Sequence, residues 1–342
     1  MILIDASNIN SGGGEVLLKY LIESLDYKGE NYFVIADPRW KNNSIPLENQ
    51  EVVKISIFNR KSILENFIKL KNPTTLLLFG NFPPPFKVII GIKTVTYIQN
   101  NLVINWRNSK HQTHTKILYL FIVRFYIQLF IKNSKYYCFQ NNNTKNDFIQ
   151  SYGITSGTEY KVLPFFKIKV PEISIPFVER EDSFIYVSSD LAHKNHKNLL
   201  LAWEYNFTQG INNILYITID ESKETETTQL YNALKFKKVP IINLGKISQN
   251  EVFEQCQKIK YAVFPSFIET IGLNMVESAS LGCKVLASNL SYVDEVIKPS
   301  LRFDPNNLHD IAEKVKFALS NDIPETKVVM ENKIEEFINF LL

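Results

Sequence analysis

Short apolar runs alternate with longer segments of helical periodicity along most of the chain. The first run, residues 2–6, leads into a loop carrying Gly12, Gly13 and Gly14 and then a helix from about Glu15 to Leu25. Further runs of strand length lie at 32–36, 52–57, 75–79, 93–98 and 136–140. A second series occupies 183–187, 214–219, 239–244, 261–265 and 284–288, with helical patterns such as 197–207 and 249–258 between them. Continuous apolar runs suit strands covered on both faces, and their alternation with helices is the pattern of a parallel α/β sheet. Two similar α/β halves are therefore expected.

Residues 163–181 contain Pro164, Pro171 and Pro176 and lack helical periodicity, which places an interdomain linker there. The expected organisation is a first domain over 1–165, a second over 166–325, and a terminal amphipathic helix within 326–342. Its periodicity, seen from Val328 to Leu342, fits packing on either domain.

With 342 residues, 45% hydrophobic and 21% charged, the chain can bury two cores, which excludes a disordered protein. Cys138, Cys256 and Cys283 are far apart and odd in number, so neither a disulfide framework nor a zinc site is expected, and a reducing cytoplasm fits. Asp5 interrupts the opening apolar run, unlike the core of a signal peptide. A net charge of +3 points to no nucleic-acid partner, but its distribution is uneven. Between residues 66 and 146 there is no Asp or Glu, while lysines and arginines recur throughout.

The segment FPSFIETIGLNMVESASLGCKVLASNLSYVDEV, residues 264–296, carries the densest chemistry. A helix beginning near Gly272 would leave the N–H groups of Ile271, Gly272 and Leu273 without intrahelical partners, and its dipole favours a diphosphate. Glu269 precedes that helix, where a carboxylate can accept hydrogen bonds from a ligand held at the helix end.

The segment resembles the donor-binding signature of glycosyltransferase family 4: a strand ending in Pro-Ser, then Glu-x7-Glu spanning Glu269 and Glu277, then a small-residue helix and a second strand. Gly272, Gly282, Ala287, Ser288 and Glu295 also fall at its recurrent positions. The resemblance implies the GT-B architecture, an α/β fold of two facing Rossmann-like domains with parallel sheets and a cleft between them. It also implies retaining transfer from a nucleotide-sugar, with Glu269 accepting hydrogen bonds from sugar hydroxyls and stabilising positive charge at the anomeric carbon, and Glu277 binding the ribose. FIYVSSDLAHKNHKNLLLAW, residues 184–203, resembles the family's Gly-Arg loop and lysine segment. Lys194 falls on the lysine that neutralises the leaving phosphate. Ser188 and Ser189 stand where Gly and Arg are common, so His193, Lys197 or a first-domain residue is left to supply the missing charge. Gly245, Lys246, Ile247 and Ser248 resemble the turn that meets the nucleobase. Gly13 and Gly14 occupy a phosphate- or sugar-facing loop of the first domain and are expected to meet the donor.

On the acceptor side, Gln99, Asn100 and Arg107 lie near the end of a first-domain strand and would meet a glycan or lipid-linked saccharide. The retaining chemistry implied needs no separate base, because the donor phosphate can take the acceptor proton. No Asp-x-Asp motif is present, and His111 and His114 lack neighbouring ligands, so metal-independent transfer is expected, with the nucleotide-sugar as substrate and no cofactor. Residues 115–135 are the most apolar stretch but too short and too polar to span a bilayer. Arg124, Gln128 and Lys132 share a helical stripe, and the region 107–135 is expected either as a core helix or as a peripheral contact with anionic membrane. The richness in Asn, Lys, Ile, Phe and Tyr is similar to that of products of AT-rich bacterial polysaccharide loci, and the family resemblance implies surface-glycan assembly such as O-antigen or capsule. A nucleotide-sugar epimerase of the same fold, or a catalytically silent GT-B subunit, are the alternatives. A dinucleotide-dependent reductase would need a glycine fingerprint followed by a ribose-binding acid, which neither half has.

Overall fold

The opening apolar run forms β1 (Ile2–Ala6), with all five residues buried. In the computed structural model, which describes residues 1–10, 12–40, 45–104, 114–168 and 175–342, β1 begins the first of two α/β units. That unit comprises Met1–Lys167 with Glu331–Leu342, and the second comprises Ile168–Met330.

In the first unit β1 is followed by α1 (Gly12–Lys28), β2 (Tyr32–Ala36), β3 (Gln50–Val52), α2 (Arg60–Lys71), β4 (Thr75–Leu78), β5 (Lys93–Ile98), α3 (His114–Phe130), β6 (Tyr136–Phe139), α4 (Asn142–Tyr152) and β7 (Glu159–Val162). These strands form one parallel sheet in the order β3-β2-β1-β4-β5-β6-β7. The order reverses between β1 and β4, so the connections leave those two carboxyl ends in opposite directions and open a crevice there.

Three expectations change. The strand expected at 52–57 is instead β3, which ends at Val52 because its partner β2 ends at Ala36. Val53 and Ile55 keep their apolar role by packing against the cluster of Phe33, Leu64 and Phe67. Helix α1 starts at Gly12 and takes in the three glycines expected as loop. The edge strand β7 carries alternating charges, Glu159 and Lys161, and has no fully buried position, so no apolar run marks it.

The second unit contains β8 (Glu181–Tyr186), α5 (His196–Thr208), β9 (Leu215–Ile217), α6 (Glu226–Phe236), β10 (Ile241–Asn243), α7 (Gln249–Lys258), β11 (Ile259–Phe264), α8 (Leu273–Ser280), β12 (Lys284–Ser288), α9 (Ser291–Asp294), β13 (Ile297–Lys298), β14 (Leu301–Phe303), α10 (Leu308–Ser320) and β15 (Lys327–Val328). Its parallel sheet has the order β10-β9-β8-β11-β12-β14, and β13 pairs with β15 antiparallel. The same reversal occurs, here between β8 and β11.

The terminal helix α11 (Ile334–Leu341) belongs to the first unit. Phe337 is fully buried with ring centroids 5.0 Å from both Tyr97 and Phe165, and Thr75 Oγ1 donates to the Leu341 carbonyl at 2.6 Å. The helix is shorter than the periodicity implied, since Val328 is claimed by β15 and Asn332 Oδ1 accepts the N–H of Ile334. Of the linker expected at 163–181, Phe165 and Phe166 are core residues of the first unit.

Candidate active site

The crevice between β8 and β11 is assembled by hydrogen bonds that tie two loops together. After β11 the chain passes through Pro265 to Ser266, whose carbonyl accepts from Ser288 Oγ at 3.0 Å and Tyr292 Oη at 2.8 Å. After β8 it passes through a short turn to Asn195, held at φ 59, whose amide nitrogen donates to the carbonyls of Pro265 and Pro305. Tyr186 Oη donates to the Lys194 carbonyl and lies 2.9 Å from Ser266 Oγ, and the Phe267 N–H donates to the His193 carbonyl. Neither loop can move without the other.

This scaffold brings Lys194 and Glu269 together. Lys194 Nζ lies 2.6 Å from Glu269 Oε1, with the two side chains 20% and 16% exposed, so the pair is shielded yet reachable. Three residues on, Gly272 caps α8 at φ 67, a conformation that a side chain would strain. Among the described residues no hydrogen bond engages the N–H groups of Ile271, Gly272 or Leu273, so the positive end of α8 is open next to the ion pair.

Glu277 lies one turn further along α8 and is almost wholly buried. Its Oε1 accepts from Gln249 Nε2 at 2.7 Å. Gln249 opens α7 directly after the turn of Gly245, Lys246, Ile247 and Ser248, so that turn and Glu277 are neighbours although 28 residues separate Gln249 from Glu277. Gly245 has φ 68 and donates its N–H to Asn243 Oδ1, Lys246 is exposed, and Ser248 forms a capping box with Glu251.

Of the residues weighed as replacements for the missing arginine, His193 is buried and its carbonyl is engaged, whereas Lys197 is exposed on the first turn of α5. Ser189 is exposed, and Ser188 donates its N–H to Thr218 Oγ1. His196, not singled out by the sequence, is buried 4.9 Å from the Tyr186 ring, and neither ring nitrogen has a hydrogen-bond partner. Burial, then the nearby Lys194 and His193, pushes its imidazole down to about 3, so it is neutral at physiological pH. Gln249 and Asn195 also went unread in the sequence. A residue in left-handed backbone and an amide at the first position of a capped helix carry no local signature of their own.

The crevice of the first unit is lined differently. Asn8 Nδ2 donates to the Gly80 carbonyl at 2.7 Å, and Asn81, at φ 72, accepts with Oδ1 the N–H groups of Gln99 and Asn100. Gln99 Nε2 also donates to the Phe79 carbonyl, and Asn100 Oδ1 accepts from Leu102. A side chain at Gly14 would meet Gln99 Oε1 at 3.1 Å, so this glycine makes room for protein, while Gly13 is exposed. Beneath them Asp5 is fully buried against Arg60 at 2.5 Å. Arg107 and His111 lie outside the described residues.

Arg124 and Gln128 lie one turn apart on α3, but Arg124 does not point to solvent as Gln128 does. Its guanidinium turns inward to donate to the Leu102 carbonyl at 2.6 Å, and burial lowers its pKa. Among the described residues no helix is long and apolar enough to cross a membrane.

By sequence, no curated protein matches the chain. Residues 172–337 match the model of the family described as glycosyl transferases group 1. Among solved structures, WaaG, a glycosyltransferase involved in lipopolysaccharide biosynthesis, is 13% identical with a TM-score of 0.69 over 100% of this chain and 99% of its own. HepE from Anabaena, solved with UDP and glucose, is 15% identical with a TM-score of 0.68 over 94% and 90%. TarM is 15% identical with a TM-score of 0.58 over 75% of this chain and 51% of its own, so the chain spans about half of TarM's length. At these identities the likeness is one of fold, and the fold of this chain is that of the GT-B glycosyltransferases.

Proposed function

We propose that this protein is a retaining glycosyltransferase of family 4 that moves a sugar from a nucleoside-diphosphate sugar to a glycan or lipid-linked saccharide. The observation that carries the reading is the shielded Lys194–Glu269 pair beside the open N-terminus of α8, inside the segment that matches glycosyl transferases group 1. On the donor, Lys194 and the N–H groups of Ile271, Gly272 and Leu273 neutralise charge on the departing diphosphate. Glu269 accepts hydrogen bonds from the sugar and stabilises the anomeric carbon as the glycosidic bond to phosphate breaks. Glu277 holds the ribose, and the turn of Gly245, Lys246 and Ile247 borders the base. The donor phosphate takes the acceptor's proton, and no metal is required. Gln99 and Asn100 border the acceptor, and Gly13 and Gly14 meet the donor. The surface-glycan setting, O-antigen or capsule, and a cytoplasmic site of action are part of the same proposal and draw on the likeness to WaaG.

A thermal-shift screen with chelator present, using UDP, GDP, ADP, CMP, dTDP and their sugars, tests the donor site. UDP comes first, because HepE was solved with it. One nucleotide is expected to raise the melting temperature selectively, with its apparent affinity about tenfold weaker in Glu277→Ala. Donor hydrolysis at unchanged rate in chelator is expected alongside. A folded protein that no nucleotide stabilises and that hydrolyses no donor would sink the proposal in favour of a silent subunit, and an epimerised sugar product would turn it to the epimerase.

A further inference from the structure

Arg180 stands just before β8 and is only 6% exposed. Its guanidinium donates from Nε to the Ile175 carbonyl at 3.0 Å and from Nη1 to the Leu281 carbonyl at 2.9 Å. Among the described residues the arginine ion pairs are those of Arg39, Arg60 and Arg302, and Arg180 has none. The carboxylates that follow it in sequence are engaged elsewhere, Glu181 by the Tyr216 hydroxyl and Asp182 by Lys260. A buried cation is ordinarily paired, because removing it from water is costly.

What Arg180 touches is the carboxyl end of α8. That helix closes through Gly282, at φ 84, with the Gly282 N–H donating to the Ala279 carbonyl and the Cys283 N–H to the Ser278 carbonyl. The Leu281 carbonyl is left over at the negative end of the helix dipole, and Arg180 occupies it. A side chain at Gly282 would lie 2.9 Å from Nη2, so the glycine at this recurrent position of the signature also makes room for the guanidinium. The other end of the same helix, about 12 Å away over its eight residues, presents the N–H groups of Ile271, Gly272 and Leu273 beside Lys194 and Glu269.

We propose that Arg180 is a positioning residue of the donor site, and that its counter-ion is the diphosphate bound at the far end of α8. Two effects run along the helix. The hydrogen bond to the Leu281 carbonyl holds α8 along its axis, so that the N–H groups at its start keep their place. The cation reinforces the dipole, and at about 15 Å and an effective dielectric of about 20 each phosphate charge gains about fivefold in affinity. Arg180 thus supplies, from behind the helix, charge that Ser188 and Ser189 leave out of the loop. The inference rests on the donor reading above and concerns the second unit alone.

Isothermal titration of the full chain with UDP, GDP and ADP, each set against its monophosphate and its nucleoside, tests it. For the base that the wild type binds, Arg180→Met should weaken the diphosphate about tenfold, the monophosphate less, and the nucleoside by under about twofold. Arg180→Lys, which keeps the charge and loses the fork, should recover most of that loss. Urea unfolding should change little in Arg180→Met, because a cation without a counter-ion is exchanged for an apolar chain of similar length. If methionine disrupts the fold, Arg180→Gln is neutral, can still donate to the Leu281 carbonyl, and should give the same order of losses. Equal weakening of all three ligands, an unaltered diphosphate affinity, or no recovery by lysine overturns the proposal while leaving the donor reading in place. A folded wild type that binds none of the nucleotides removes the donor reading and this inference with it.

Discussion

Beside the first strand of each sheet stands one carboxylate paired with one cation, and the two pairs differ chiefly in their access to water. Asp5 meets Arg60 at 2.5 Å with side chains 0% and 7% exposed, whereas Lys194 meets Glu269 at 2.6 Å with 20% and 16%. The second oxygen of Asp5 is occupied too, by the Ser7 hydroxyl at 2.6 Å. That carboxylate has nothing left to give a ligand, and its role is to hold α2 against β1. The Lys194–Glu269 pair is open on one side and bordered by unengaged N–H groups, so its charges can exchange each other for phosphate and sugar hydroxyls. Burial, more than residue type or distance, separates a structural ion pair from one able to do chemistry.

That contrast predicts opposite outcomes for mutating each cation. Arg60→Met leaves Asp5 charged and buried without its counter-ion, and should cost about 3–5 kcal/mol in urea unfolding. A loss below about 1 kcal/mol would show that water reaches Asp5. Lys194→Ala should leave unfolding within about 1 kcal/mol of wild type while lowering the donor hydrolysis rate by about 10²–10³-fold, the cost of one misplaced electrostatic contact in a transition state. A stability loss as large as that of Arg60→Met would make both pairs structural.

Asn81→Gly tests the neutral rim of the first unit. Glycine accepts the left-handed backbone at φ 72, so only the two hydrogen bonds to the N–H groups of Gln99 and Asn100 are lost. An unfolding cost of about 1–3 kcal/mol is expected, and Asn81→Ala should cost more because strain is added.

An effect that grows only in acid concerns His196, which shares the interior behind the Lys194 loop. Its folded value of about 3 lies below the ordinary 6.5, so the unfolded chain binds the proton first as pH falls. Stability is therefore full above pH 6.5 and is lost towards pH 3, by at most about 1.4 kcal/mol per pH unit. His196→Leu, which also removes two unpartnered nitrogens, should flatten the melting-temperature profile between pH 6.5 and 5. An unchanged slope would move the acid sensitivity to other groups.

Local pattern was enough wherever an element is buried on its own terms. Residues 284–288 and 249–258 were read with the bounds that β12 and α7 have, because a short apolar run such as Val285, Leu286 and Ala287 or a capped amphipathic turn reports burial and period without reference to any partner. The segment from Glu269 to Glu277 was legible for the same reason, being one loop and one helix. Long-range pairing was not legible. Lys194 reaches Glu269 across 75 positions, Arg60 reaches Asp5 across 55, and Gln249 reaches Glu277 across 28, and nothing in the neighbours of any of these residues names its partner. The edge strands β7 and β14 were missed because a strand with one neighbour needs no apolar run. On α3 large apolar residues lie on most sides, so periodicity could not say which side would face the sheet, nor that the guanidinium of Arg124 would turn in. Period and burial are properties of a single segment, whereas exposure of a charge or of a stripe depends on every segment packed around it, and that exists only once the chain has folded.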